Sequence, residues 1–373
     1  MLETIFWSAT ILIVYTYIGY PAVIWLLARK TPDVSLAAPD RWPSVAVIIA
    51  AYNEEKNLVR RIQNLRELKY PGELRIVFSL DGCDDGSEAI LRQYPDVEVI
   101  AHPDRRGKPA ALNRAVERQQ SDVLVFTDAR QTVAPEAIEH LVRRLQDPNV
   151  GAVSGELSHY DAKNPDGSNI GLYWKYERMI RAAESRVYSV FGVTGALYAI
   201  RRSDFSAIAE DTILDDFQVP IQILRRGKRS VLESGAKVYD TLEHSIDGEK
   251  RRKIRTLTGN FQAFDRNRWL FNPSLNPGFW LFLSHKVFRL VMPYCLITVL
   301  LLAIFLDGPF YKASAALQIA FYAFALAGRS TDTIRQRSSL FSFPTTFVEL
   351  NSSAVVALVR YLRGHVDARW EKT

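Results

Sequence analysis

Apolar and polar positions divide the chain into two kinds of segment. Thr4 to Ala28 contains no charged residue, and Leu290–Leu306 and Ala313–Gly328 are again almost wholly apolar. Between them runs a mixed sequence with short-period patterning. A helix over Thr4–Ala28 spans roughly 37 Å at 1.5 Å per residue, enough to cross a hydrocarbon core of about 30 Å. The later pair, parted by Asp307-Gly308-Pro309 and Lys312, predicts a helical hairpin. Each of its arms is short for a span, so its ends must extend or the bilayer must thin.

The mixed region alternates strand and helix signals. Ser44–Ala51 (SVAVIIAA) is β-branched and apolar on both faces, as in a buried parallel strand. Asn53 is a candidate cap for a helix over Glu54–Leu68, with Leu58, Ile62, Leu65 and Leu68 at helical spacing. Strands are predicted at Leu74–Leu80, Val97–Ala101 and Val123–Thr127, with helices at Glu88–Tyr94 and Ala110–Gln119. Strand–helix alternation implies a largely parallel sheet, whose ligands bind beyond the carboxyl ends of its strands. Tyr52, Asn53, Glu54, Asp81 and Asp128 all follow strand ends. Each alone is explained by a cap or turn. Acidic groups gathered on one rim repel unless a cation or a hydrogen-bonding ligand joins them.

Charge and composition refine this picture. Basic pair Arg29-Lys30 follows the first apolar run, so positive-inside logic puts the N-terminus outside and the mixed domain in the cytoplasm; a signal peptide would instead begin with basic residues. Arg329, Arg335 and Arg337 follow the hairpin on the same inner side. Phe341–Leu362 carries Pro344, Glu349 and Asn351 and ends in Arg360, Arg363 and Arg369, which fits an interfacial or re-entrant helix better than a crossing. Aromatic and basic residues mix over Asn276–Val291, suiting the headgroup zone or the first turns of a longer span. The expected divisions are an N-terminal membrane helix at 1–30, a cytoplasmic domain at 40–245 and interfacial helices at 246–288. A membrane hairpin at 289–330 and an interfacial C-terminal segment at 331–373 complete the set.

The net charge of +6 suits anionic partners, and no extended basic arm points to nucleic acid. Clusters 251–253 and 225–229 fit anionic headgroups, a diphosphate, or a solvated basic face. The two cysteines, Cys83 and Cys295, lie in dissimilar segments and give neither a disulfide framework nor a thiolate metal site. GxGxxG, Walker and HExxH motifs are absent.

Six motifs in order, VIIAAYNEE, SLDGCDDGS, RRGKPAALN, FTDAR, FGVTGALYAIRR and ILDDF, resemble glycosyltransferase family 2 of the GT-A fold over about Ser44–Asn260. With its apolar flanks the chain is similar to the membrane-bound members related to cellulose, hyaluronan and poly-N-acetylglucosamine synthases. The resemblance implies an α/β fold of GT-A type with a mostly parallel sheet and flanking transmembrane and interfacial helices. It implies that Tyr52, Glu54 and Asp81 hold the base and ribose of a UDP-sugar donor, and that Lys108 meets a phosphate or the nucleotide. Asp128 resembles the first acid of the metal-binding DxD motif, implying Mg²⁺ or Mn²⁺ on the donor diphosphate. The second acid is replaced by Arg130, which could itself supply positive charge to the diphosphate.

Asp216 matches the family's catalytic base and Asp215 its acidic neighbour, which raises its pKa towards the working range. Glu210-Asp211 is a nearby decoy. Phe191–Arg202 resembles the acceptor-side segment. Relatives that build polymers carry QxxRW; here Arg255 remains without the Gln and Trp, which sets processive synthesis in doubt and leaves Arg255 as a diphosphate contact. The implied reaction is an inverting hexosyl transfer to a polysaccharide or lipid-linked acceptor at the bacterial inner membrane, with export proteins as possible partners. The rival is a non-catalytic sugar-nucleotide-binding scaffold of an exopolysaccharide assembly complex. A nucleotidyltransferase would differ from both by releasing pyrophosphate.

Overall fold

The computed structural model describes residues 1–32, 38–160, 172–241, 246–330 and 338–364. Arg335, Arg337 and Arg369, used above to orient the membrane segments, lie outside the described residues. The chain forms two compact units, one of residues 1–27 with 245–365 and one built on 28–244.

An eight-stranded sheet organises the second unit. In chain order the strands are β1 (Val45–Ala51), β2 (Leu74–Asp81), β3 (Val97–His102), β4 (Val123–Thr127), β5 (Thr132–Val133), β6 (Val150–Tyr160), β7 (Leu197–Arg201) and β8 (Arg229–Thr241). Their spatial order is β3-β2-β1-β4-β7-β6-β8-β5. Pairs β3–β2, β2–β1, β1–β4 and β6–β8 are parallel, and β4–β7, β7–β6 and β8–β5 are antiparallel. The first four strands follow the predicted alternation.

Both faces of β1 are buried. Val45, Val47 and Ile49 pack with Leu58, Ile62 and Leu65 of helix Glu55–Arg66, and Ala46, Ile48 and Ala50 pack with Leu112, Ala115 and Val116 of helix Lys108–Arg118. Successive side chains of a strand point to opposite faces, so a run apolar at every position requires a layer on each side. Helices on both faces leave the strand carboxyl ends as the open rim.

Asn53 does not cap the following helix. Its φ of 55° is left-handed, a conformation Asn tolerates better than most residues, and Glu54 takes the cap position. The Asn53 side chain instead accepts from Asp84 N at 3.0 Å and donates to the Asp84 carboxylate, tying the turn after β1 to the turn after β2.

Among the described residues, three helices are long and apolar enough to cross a membrane: Leu2–Lys30 (29 residues), Phe279–Phe305 (27 residues) and Pro309–Ser330 (22 residues). From Phe279 onward the mixed aromatic and basic stretch is therefore continuous with the second of these helices, which removes its apparent shortness. Wider turns over Tyr15–Gly19 and Phe282–Val287 meet where Tyr15 Oη lies 2.8 Å from Ser284 Oγ. Helix Ser339–Leu362 is continuous through Pro344 and docks by Thr345 Oγ1, which donates to the Ala325 carbonyl at 3.1 Å. Helix Ile246–Arg266 joins it where Tyr361 Oη donates to Asp265 Oδ2 at 2.8 Å.

Candidate active site

Asp81 ends β2 and is fully buried. Its Oδ1 accepts from Arg106 N at 3.0 Å and Arg114 Nη2 at 2.9 Å, and its Oδ2 accepts from Gly107 N at 2.6 Å. The carboxylate thus anchors the Arg105–Gly107 loop. Gly82 permits the approach: its φ is 65°, and a Cβ there would lie 2.6 Å from Arg105 N. Arg105 in turn covers the Tyr52 ring, with the guanidinium carbon 4.0 Å from the ring centroid. Glu54 Oε2 accepts from Asn57 Nδ2 at 2.6 Å within its own first helical turn.

The anchored loop delivers Lys108 to the acids. Lys108 Nζ donates to Asp128 Oδ1 at 2.9 Å and lies 3.5 Å from Asp215 Oδ2. Burial alone would depress the Lys108 ammonium, but Asp128, Asp215 and Asp216 outweigh it and hold the group above its usual range. Asp215 and Asp216 open helix Asp215–Arg225. Desolvation first, and the Asp215 charge second, push Asp216 up to about 6, while Lys108 and Arg181 pull against them. Asp215 is buried; Asp216 is half-buried and faces the glycine loop.

That loop is tied to Asp216 through the backbone, Val193 N donating to the Asp216 carbonyl at 2.9 Å. Gly195 packs on the side chain, where a Cβ would come 3.2 Å from Asp216 Oδ2. Arg181, on helix Leu172–Val187, braces the loop by donating to the Gly192 carbonyl at 3.2 Å. Ser154 Oγ on β6 accepts from Thr194 N at 2.9 Å. Beneath the acids, Tyr198 is fully buried and stacked on Phe126; burial, then Asp215, Asp216 and Asp128, push its hydroxyl well up.

Arg130 turns to β8, where its Nη2 donates to Asp240 Oδ2 at 3.1 Å, the oxygen that Gln131 Nε2 also reaches at 3.1 Å. Glu210, of the decoy pair, instead accepts from Arg106 Nε at 3.0 Å. Cluster 225–229 is largely tied down: Lys228 grips Asp204 and Arg229 caps the Ser185 carbonyl, so it is bound into the fold. Arg255 lies on helix Ile246–Arg266 of the other unit.

A divalent cation finds one ready side chain here. Among the described residues no three His, Cys, Asp or Glu side chains are grouped to hold an ion. Asp128 is 37% exposed, and its Oδ2 has no hydrogen-bond partner among those residues. A single carboxylate fits a hard cation whose remaining ligands are phosphate oxygens and water.

Residues 46–208 match the family model described as glycosyl transferase family 2. Over that segment, which is less than half of its length, the chain is similar to glycosyltransferase family 2. It is 30% identical over 207 residues to an N-acetylglucosaminyltransferase of Rhizobium sp. (strain N33), covering 52% of this chain and 45% of that protein. It is 22% identical over 246 residues to a poly-beta-1,6-N-acetyl-D-glucosamine synthase of Staphylococcus aureus (strain COL), covering 64% of this chain and 59% of that protein. The chain thus spans about half to three-fifths of these relatives. Its fold matches the mannosyltransferase PcManGT from Pyrobaculum calidifontis in complex with GDP-Man and Mn²⁺, with a TM-score of 0.76 and 22% identity over 97% of this chain and 99% of that one. The GT-A fold expected from the motifs is the fold observed.

Sequence reasoning missed Arg61, Arg114, Arg181, Tyr198 and Asp240. Arg61 had a signal, since it falls on the apolar stripe of its helix with Leu58, Ile62 and Leu65. Arg181 and Asp240 had none, because the segments that carry them approach the site only through long-range pairing.

Proposed function

We propose that the protein transfers a hexosyl group from a nucleotide-diphospho-sugar to an acceptor hydroxyl at the membrane, inverting the anomeric carbon. The observation that carries this reading is the meeting of Lys108, Asp128, Asp215 and Asp216 at one rim of the sheet, with Asp216 poised near neutrality. The acceptor O–H gives its proton to Asp216 as its oxygen bonds to the anomeric carbon. The bond from that carbon to the diphosphate oxygen breaks on the opposite side, and the nucleoside diphosphate leaves with the electron pair. Lys108 holds fixed positive charge beside the leaving group. A divalent cation held by Asp128 and the donor phosphates would add positive charge there.

The donor-base subsite is assigned to the turns bearing Tyr52, Glu54 and Asp81. Asp81 acts there by holding the Arg105–Gly107 loop, since its oxygens already face three donors. A UDP-sugar is the first donor to try, N-acetylglucosamine being the sugar named in the relatives. GDP-mannose, bound by the structural neighbour, is the second. The acceptor is assigned as a growing glycan or a lipid-linked sugar, and Arg255 as a further diphosphate contact. Arg29 and Lys30, which end the first membrane-length helix, support assigning the catalytic domain to the cytoplasmic side by the positive-inside rule. The scaffold reading draws on one observation, Arg130 in place of an acid. Detergent-purified protein offered each donor decides between them: released nucleoside diphosphate that disappears in Asp216→Asn supports the enzyme, and no release by either protein supports the scaffold.

A further inference from the structure

Arg61 is the most deeply buried arginine of the sheet domain, 1% exposed. It occupies a core position of its helix, between Leu58 and Leu65. Nη2 donates to Thr127 Oγ1 at 2.7 Å; Nη1 donates to the Gln131 carbonyl at 2.9 Å and to Asn64 Oδ1 at 2.8 Å. Asn64 continues the clasp, accepting from Val133 N and donating to the Val133 carbonyl, each at 2.9 Å. Arg61 therefore holds both ends of the turn that carries Asp128 and Arg130. None of its bonds goes to a carboxylate, and Nε is buried without a partner among the described residues.

A buried cation without a counter-ion is costly, so a charge kept in this position calls for a reason. Thr127 Oγ1 already has the Ala196 carbonyl as its own acceptor at 2.6 Å, so fastening this turn does not by itself require a charge. The charge inventory in front of Arg61 supplies the reason. Asp128, Asp215 and Asp216 face the Lys108 ammonium, with the Arg181 guanidinium reaching Asp216, so three acids meet two cations and the rim is net negative before a diphosphate arrives. Resting on the reading of the rim as a donor site, we propose that Arg61 is a positioning residue and a fixed subsurface cation, whose charge offsets the acids so that a nucleoside diphosphate can bind. Burial lowers its pKa to about 9, which leaves it charged at neutral pH, and Asp128 is the acid whose field reaches it. In a poorly solvated position that charge is little screened by salt.

Two variants of the full-length, detergent-purified chain test this by calorimetric titration with UDP and GDP, and with uridine and guanosine. Arg61→Met keeps the length and removes the charge; Arg61→Lys keeps the charge and breaks the clasp. We expect Arg61→Met to lose about tenfold or more in affinity for the nucleoside diphosphate that wild type binds. Its affinity for the parent nucleoside should stay within about twofold, and Arg61→Lys should bind the diphosphate within about threefold of wild type. Equal losses for nucleoside and diphosphate in Arg61→Met would mean a merely structural role and overturn the proposal, as would wild-type diphosphate affinity in Arg61→Met. If Arg61→Met does not fold, Arg61→Lys carries the test, and loss of diphosphate binding there overturns it. Failure of wild type to bind either diphosphate would sink the donor-site reading instead.

Discussion

At Asp216 the carboxylate is half-buried beside Asp215, and both conditions disfavour its ionised form. A base that titrates near 6 is ionised at neutral pH yet can still take a proton in the transition state. The rate should therefore fall below about pH 6 as Asp216 protonates, with the limb read from kcat against pH. Stability runs the other way. Because the folded pKa lies above the ordinary carboxylate value, the stabilising contribution of Asp216 is complete below that ordinary value and is lost as pH rises through about 6. Asp216→Asn should melt above wild type at pH 7.5, by an amount on the order of 1–3 kcal/mol. The gap should close towards pH 4 in a thermal scan. Arg181 favours the ionised base, so Arg181→Gln should move the acid limb of the rate profile to higher pH; an unmoved limb would remove Arg181 from this role.

Among the elements, the loop after β3 shows how a carboxylate organises a site without touching the chemistry. Asp81 gathers two backbone amides and Arg114, whose Nε and Nη1 are buried without other partners among the described residues. Breaking a buried pair strands the remaining charge, so Asp81→Ala should cost about 3–5 kcal/mol, seen as a lower denaturation midpoint. Regular patterning made β1 to β4 and their helices legible, and it put Asp81 and Asp128 at strand ends, where they are found. Three features stayed hidden. Asn53 looked like a cap because caps and left-handed turns favour the same side chain. The partners of Asp81, two backbone amides and Arg114, were hidden because the closure of a loop onto a carboxylate leaves no trace in a sequence. The antiparallel pairing of β7 between β4 and β6 places Tyr198 under the acids, and long-range register has no local signature.

For the molecule as a whole, an apolar unit with three helices able to span a bilayer accompanies a polar sheet domain. The protein should therefore require detergent for extraction, checked by its partition between salt-washed membranes and the soluble fraction. Asp128 is the one acid of the motif, and Arg130 is engaged by Asp240, so the cation should be held mainly by the donor. Without donor, Mn²⁺ should bind weakly or not at all; with nucleoside diphosphate present it should bind, and calorimetry separates the two cases. Chelator should lower turnover, and full activity in excess chelator would assign the diphosphate charge to the protein's own cations.

One measurement addresses the central claim most directly: nucleoside diphosphate released from UDP-N-acetylglucosamine or GDP-mannose by purified wild-type protein with acceptor membranes, run beside a folded Asp216→Asn. The account predicts release with one donor and its loss by about a hundredfold or more in the variant. Equal release by both proteins would contradict it.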